Sequence, residues 1–362
     1  MSSSRIPVLI LGATGMVGQR FVSLLSDHPW FQIAGVAASP NSAGVPYREA
    51  VRGRWLLESD IPDSVGGLTV YRVEEDAEFL SKLGQVAFCA LDLPKERVQA
   101  IECDYARRGV AVISNNSAHR LTSDVPVLMP EINPDHSEII TQQRKNRGWS
   151  CGLIAVKPNC SIQSYVPVLA ALSELKVERV SVTTLQAVSG AGKTLNSWPE
   201  MVDNVIPFIR GEEEKSEIEP LKVLGTVTEA GIAPRRDLKI SATCIRVPVS
   251  DGHMASLTFS LGVSASAGEI VERLKAFKPR SKGLELPSSP ELFLAYSSDD
   301  DRPQTRLDRD TERGMGVSVG RLREDSVLGW KCVALSHNTV RGAAGGAVLM
   351  AELLHKQGYI KG

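Results

Sequence analysis

Ile6-Pro7-Val8-Leu9-Ile10-Leu11-Gly12-Ala13-Thr14-Gly15-Met16-Val17-Gly18 joins an apolar run directly to a glycine-rich turn. An unbroken apolar run suits a parallel strand covered on both faces, and Pro7 lies near its start, where a missing N–H is tolerated. A helical pattern through Phe21, Leu24 and Leu25 follows at once. The glycine spacing is a variant of the dinucleotide fingerprint, set in the strand, turn and helix that give the motif its meaning. Glycines let the backbone approach a pyrophosphate, and a helix N-terminus supplies N–H donors and positive potential. Gly12, Thr14, Gly15, Met16 and Val17 are the expected cradle. A plain glycine-rich turn is the competing reading, and the context favours cofactor binding.

A second apolar strand at 33–38 ends where NAD enzymes place an acid on the ribose 2′-hydroxyl. Here the chain reads Ser39-Pro40-Asn41-Ser42-Ala43-Gly44. With no carboxylate to repel a 2′-phosphate, and with Ser39 and Ser42 able to bind one, NADP is favoured; Arg48 is the nearest cation in sequence. Residues 45–84 read as a loop-rich insertion with a short strand at 68–71. Strand 86–91, which brings Ala90 to the cofactor side, helix 95–108 with Val98, Ile101 and Tyr105 on one face, and strand 110–114 restore the alternation. Such βα units predict a doubly wound parallel sheet, whose ligands sit at the carboxyl ends of the strands. That rule singles out the segment 114–120, with Asn116 and Arg120.

The chain has 362 residues, which predicts two domains, and 43% apolar with 23% charged residues is globular composition. A formal charge of −1 without a basic tract argues against nucleic acid and anionic membranes. No run reaches spanning length and the N-terminus carries no targeting pattern, so a cytoplasmic location is expected. The six cysteines are scattered, without Cys-x-x-Cys or zinc-like spacing, which fits a reducing compartment and no metal.

Pro158-Asn159-Cys160-Ser161 stands between the apolar run 154–156 and a periodic segment with Ile162, Val166 and Leu169. If a helix starts there, its unpaired N–H groups and dipole favour a thiolate at Cys160, the form a nucleophile needs. A buried structural cysteine is the alternative. Beyond it, β runs at 177–188 and 254–263, strands at 316–322 and 331–336, and helical stretches at 198–210, 212–224 and 268–277 predict an α+β domain with a mixed sheet. Segment 288–311 reads as an excursion, and 339–355 as a last helix packing back on the first domain. Gly190-Ala191-Gly192-Lys193-Thr194 looks like the end of a P-loop, but Ala187 stands where that motif needs glycine. His253, in a turn ahead of a strand, is the best-placed proton carrier. Arg246 can fix a carboxylate, and Glu212-Glu213-Glu214-Lys215 reads as a solvated charged face.

These stretches, with Gln186-Ala187-Val188-Ser189-Gly190-Ala191-Gly192, Arg246-Val247-Pro248-Val249, Asp301-Arg302-Pro303-Gln304 and His337-Asn338-Thr339-Val340-Arg341-Gly342, together resemble aspartate-semialdehyde dehydrogenase across nearly the whole chain. Residues 301–320 are similar to its archaeal and fungal branch. The resemblance implies NADPH-dependent reductive dephosphorylation of L-aspartyl 4-phosphate by a homodimer or a tetramer of such dimers. It implies Cys160 as nucleophile, His253 as acid/base and Gln186 as the group orienting the acyl intermediate. Arg246 would hold the substrate carboxylate, Glu212 and Lys215 its amine and phosphate, and Asn116, Arg120 and Asn159 the phosphate pocket. Gly190 and Asn338 would touch the cofactor. The implied layout is a cofactor domain at 1–159, a catalytic and dimerisation domain at 160–336 and a returning helix at 337–362. Ile162 stands where the family has threonine, and Pro220 interrupts the helix that carries Glu212. N-acetylglutamyl-phosphate reductase and malonyl-CoA reductase share the same logic. A catalytically dead nicotinamide-binding regulator is the alternative from another class, and retention of Cys160, Gln186, Arg246 and His253 argues against it.

Overall fold

The fingerprint strand lies near the centre of a six-stranded parallel sheet in the computed structural model, which describes residues 5–361. Its strands are β1 (Ile6–Leu11), β2 (Phe31–Ala38), β3 (Val70–Arg72), β4 (Val86–Cys89), β5 (Ala111–Ser114) and β6 (Leu153–Val156), in the order β3-β2-β1-β4-β5-β6. The direction of winding reverses between β1 and β4, and the crevice at their carboxyl ends is where such sheets bind ligands. Residues 45–84 correct the expectation of a loop-rich insertion. The short strand expected at 68–71 is there, as edge strand β3 beside β2, but the segment also holds an unforeseen helix, Ala77–Leu83, that buries Ala77 and Leu80. The pattern is faint because only Val70 of β3 is buried.

The second sheet begins with β7 (Val177–Gln186). A small hairpin, β8 (Thr226–Thr228) and β9 (Gly231–Ala233), precedes β10 (Lys239–Arg246), β11 (His253–Leu261), β12 (Leu294–Tyr296), β13 (Val317–Asp325) and β14 (Gly329–Ser336). The order β10-β7-β11-β14-β13-β12 mixes parallel and antiparallel pairs. Register is what matters for the site. Arg246 lies opposite Gln186, and Leu185 opposite Met254, so Gln186, Arg246 and His253 reach the same end of the sheet.

Three other expectations change. Residues 198–210 form one short turn, Pro199–Met201, and then an irregular strand-like run; Pro207 lacks the N–H a helix needs, Asp203 sits at φ 56°, and Ile206 bridges to Arg246. The excursion at 288–311 contributes β12, paired with β13. The last helix starts later than its pattern suggests. A wide turn, Val340–Ala344, precedes helix Gly345–Lys356, because Ala343 leaves helical geometry. Ala347, Val348, Met350, Ala351 and Leu354 of that helix share one apolar core with β1, β4 and Phe21, so the chain's end does return to the first sheet.

Candidate active site

The chain leaves β6 at Val156 and reaches Cys160 through Pro158 and Asn159. The Asn159 side-chain oxygen accepts from the Ser161 N–H (2.7 Å) and hydroxyl (2.8 Å), which fixes the turn. No continuous helix follows, contrary to the sequence pattern. A single 3₁₀ turn, Ser161–Gln163, is separated from helix Val166–Ala171, and the Ser164 hydroxyl bonds back to Ser161 O at 2.8 Å. The dipole behind Cys160 is therefore short. Its thiol is pushed above the usual cysteine range, not below it, first by burial and next by the Glu212 carboxylate; Lys157, Arg120 and Arg246 pull the other way. Ile162 is fully buried in the core, so the departure from threonine is a packing choice.

Helix Glu212–Val223 lays a polar stripe along this turn. Glu212 is not on a solvated face. Its carboxylate accepts from Lys215 (2.8 Å), Asn159 Nδ2 (3.0 Å) and Gln186 Nε2 (3.5 Å). Burial opposes its charge, yet Lys215, Asn159 and Arg120 hold the carboxyl below its ordinary range. Two turns further along, Glu219 takes Arg120 Nη1 on one oxygen (2.9 Å) and the Asn159 backbone N–H on the other (2.7 Å). Lys222 donates to the carbonyls of Arg120, Thr122 and Val125 at 2.6–2.9 Å. Sequence reasoning missed both, although their spacing from Glu212 and Lys215 places them on the same helical face. Pro220 is tolerated because the carbonyl it cannot bond, that of Ser216, accepts the Tyr165 hydroxyl at 2.6 Å.

Arg120 is buried, bonded to Glu219 and to the carbonyls of Lys157 and Asn115, and it lines a small pocket with Lys95, Ser117 and Lys215. Asn116 is turned elsewhere. Its amide brackets the Leu91 backbone, donating to the carbonyl (2.5 Å) and accepting from the N–H (3.2 Å), so the structure does not bring it to the pocket of Arg120. Asn159 is likewise spent on Glu212 and Ser161, which makes it an orienting group. Asn115, which sequence reasoning passed over, has both ends of its amide buried without a protein partner.

His253, which the sequence places in a turn ahead of a strand, is instead the first residue of β11 and is fully buried. Its Nδ1 accepts from the Ala187 N–H at 3.1 Å, which assigns the proton of the neutral ring to Nε2, an atom with no protein partner. Burial, then Arg246, push the imidazole down to about 3. Arg246 donates to Ala187 O at 2.6 Å. Gly190 lies against both groups: a Cβ there would stand 2.8 Å from Arg246 Nη1 and 2.9 Å from His253 Nε2. Asn338 clasps the two flanking loops, accepting from Gly252 N–H (2.7 Å) and donating to Ser189 Oγ (2.8 Å). It holds the Gly190 loop in place.

Gly12, Thr14, Gly15, Ser39 and Ala90 line a cleft of about 330 Å³ at the strand ends. Met16 lines a neighbouring one of about 240 Å³ with Ser189, Lys193 and Asp251, so the two clefts lead from the fingerprint toward Gly190. Val17 packs inward beside the core of the first sheet. Ser42 is buried and contacted by Arg54 at 3.4 Å; Arg48 instead pairs with Asp63 at the surface, so the nearest cation in sequence is not the nearest in space. The fingerprint glycines differ in kind. A Cβ on Gly12 would lie 2.2 Å from Ala90 O and one on Gly18 would lie 2.1 Å from Gly12 O, whereas one on Gly15 meets nothing nearer than 3.5 Å. Packing explains the first two. Gly15 is open to the cleft, as a group approached by a pyrophosphate would be. Gly12→Ala is expected to lower the thermal midpoint, and Gly15→Ala to leave it unchanged while weakening dinucleotide affinity about tenfold, read by fluorescence titration.

A family model described as semialdehyde dehydrogenase, NAD binding domain, matches residues 7–140, and one described as semialdehyde dehydrogenase, dimerisation domain, matches residues 168–341. An aspartate-semialdehyde dehydrogenase from Archaeoglobus fulgidus is 42% identical over 356 residues, covering 98% of this chain and 100% of that protein. The chain belongs to the aspartate-semialdehyde dehydrogenase family. The aspartate-semialdehyde dehydrogenase of Candida albicans is 39% identical over 364 residues, covering 97% of this chain and 98% of that protein. A crystal structure of aspartate-semialdehyde dehydrogenase with NADP from the same yeast superposes with a TM-score of 0.88 at 36% identity, covering 99% of this chain and 100% of the other. Archaeal and fungal relatives at this level agree with the branch to which residues 301–320 point.

Proposed function

We propose that this chain reduces L-aspartyl 4-phosphate to L-aspartate 4-semialdehyde with NADPH, releasing inorganic phosphate on the route to the amino acids made from aspartate. The observation that carries the reading is the meeting of Gln186, Arg246, His253 and Gly190 at the end of the second sheet, with Cys160 held beside the Glu212 helix. In this reading Cys160, as the thiolate, attacks the acyl carbon. The C–S bond forms, the carbonyl pair moves to oxygen, and its return breaks the C–O bond to phosphate, leaving a thioester. The His253 Nε2–H, fixed in that tautomer by Ala187, donates to the carbonyl oxygen as charge develops there. Gln186 orients the acyl group. Arg246 grips the α-carboxylate through its fork, Glu212 meets the α-ammonium, and Arg120 with Lys215 receives the phosphate. NADPH, when bound, supplies the hydride that reduces the thioester. The open Gly15 and the acid-free Ser39 end of β2 fit NADP, held by Gly12, Thr14, Gly15, Met16 and Ser39.

The match to a dimerisation domain supports a homo-oligomer, and we take the unit to be a homodimer. Domains at 1–159 and 160–336 with a returning segment at 337–362 are supported by the two sheets and the shared core of the last helix. Among the described residues no helix is long and apolar enough to cross a membrane, and a cytoplasmic enzyme is the reading we adopt. The deciding assay is phosphate-dependent NADP reduction with L-aspartate semialdehyde, with NAD in parallel. Strong dependence on phosphate and preference for NADP are expected; turnover of malonyl-CoA alone would sink the assignment.

A further inference from the structure

Behind Cys160 lies a buried ion pair that the reaction itself does not use. Arg341, 1% exposed, and Glu131, fully buried, face each other fork to fork, with Nη1 on Oε1 and Nη2 on Oε2 at 2.7 Å. The guanidinium lies 4.7 Å from the centroid of the Phe293 ring, and the Glu131 carbonyl accepts the Arg280 N–H at 2.8 Å. Three segments distant in sequence are thereby tied together: the chain leading from β5 toward β6, the approach to β12, and the turn Val340–Ala344. That turn is wide and irregular, closed by Gly342 N–H on His337 O (2.8 Å) and Ala344 N–H on Thr339 O (3.2 Å). Wide turns of this kind recur at functional sites. Gly342, inside the turn and next after Arg341, lies against the cysteine: a Cβ there would stand 2.9 Å from Cys160 Cβ and 3.3 Å from Cys160 Cα.

We infer that Arg341 is a positioning residue for Cys160: anchored on Glu131, it holds the turn that backs the nucleophile, so the direction of the thiol depends on a pair that touches neither substrate nor cofactor. A planar fork on a buried carboxylate fixes both position and rotation of the turn, which a lysine at the same place cannot do. The inference rests on Cys160 being the nucleophile, and the two ideas fail separately. If Cys160→Ala retains turnover, the nucleophile assignment is wrong, whatever Arg341 does.

The test uses the full-length enzyme with Glu131→Gln, Arg341→Lys and Phe293→Leu, the last disturbing the platform under the guanidinium while leaving the fork intact. Active sites are counted by stoichiometric alkylation of Cys160, so that misfolded protein does not enter the rate. The expected result is a kcat per titrated thiol lowered about 10-fold to 100-fold in Glu131→Gln and Arg341→Lys, and less in Phe293→Leu, since a misplacement near 1 Å costs a rate of that order. KM for the semialdehyde and the dissociation constant of NADP should stay within about twofold, because the pair touches neither ligand. An unchanged kcat per titrated thiol in the two fork variants overturns the inference. So does a loss of activity that follows the loss of titratable thiol, because that is what a purely structural pair would give.

Discussion

Cys160→Ala is expected to lower phosphate-dependent turnover by about 10⁴-fold or more, while NADP still binds, because removing the nucleophile removes the covalent path and leaves only binding and positioning. The same variant should lose the thioacyl adduct that mass spectrometry detects on native protein mixed with the semialdehyde and NADP. The pH dependence follows from the surroundings. Burial and the Glu212 carboxylate both favour the neutral thiol, so the reactive thiolate is the minor form at neutral pH and grows as pH rises. Alkylation of Cys160 should therefore accelerate through the alkaline range, with its midpoint above that of an ordinary cysteine. Glu212→Gln removes the nearby negative charge and should move that midpoint down. An unchanged midpoint in Glu212→Gln would mean that burial alone sets the thiol, and a native midpoint below the ordinary range would contradict the geometry.

Glu219→Ala is expected to cost about 3–5 kcal/mol of stability, read as a lower urea midpoint, since it leaves the buried Arg120 guanidinium without its carboxylate. Few single side chains here do as much. One oxygen holds Arg120, the other holds the Asn159 N–H next to Cys160, and Arg120 lies in electrostatic reach of the buried Lys157, whose ammonium is disfavoured first by burial and then by that same arginine. Glu219→Gln can accept from only one of the two donors and sets its own amide hydrogens against the other. It should fold, with a smaller loss of stability and a raised KM for phosphate, because Arg120 would be free to turn. A urea midpoint and a phosphate KM equal to wild type in both variants would show that the bridge carries no weight.

The fingerprint strand, the glycines and most sheet strands were legible because their signal is local: an apolar run and a turn within one short window. Arg246 and His253 could also be picked out by residue type and motif, and Gln186 through the family resemblance, although their meeting depends on sheet register. The errors share a cause. Glu212 and Lys215 look solvated in sequence because four charged residues in a row show no partner there; only the fold sets Asn159 and Gln186 against Glu212, with Lys215 paired to the same carboxylate. The sign of the Cys160 shift escapes the sequence for the same reason, since a local dipole says nothing of Glu212 or of burial. Nothing in the sequence says which of Asn115 and Asn116 spends its amide on Leu91. Where the pattern suggested a helix at 198–210, Pro199 and Pro207 already argued otherwise.

The returning helix has a consequence for how the protein must be made. Ile6 and Ile360 lie in one apolar core, and helix Gly345–Lys356 covers strands that are made well before it. The first sheet therefore keeps part of its apolar surface uncovered until the helix that follows the second sheet has been synthesised. Segments that gain their cover this late are the ones that chaperones and aggregation compete for.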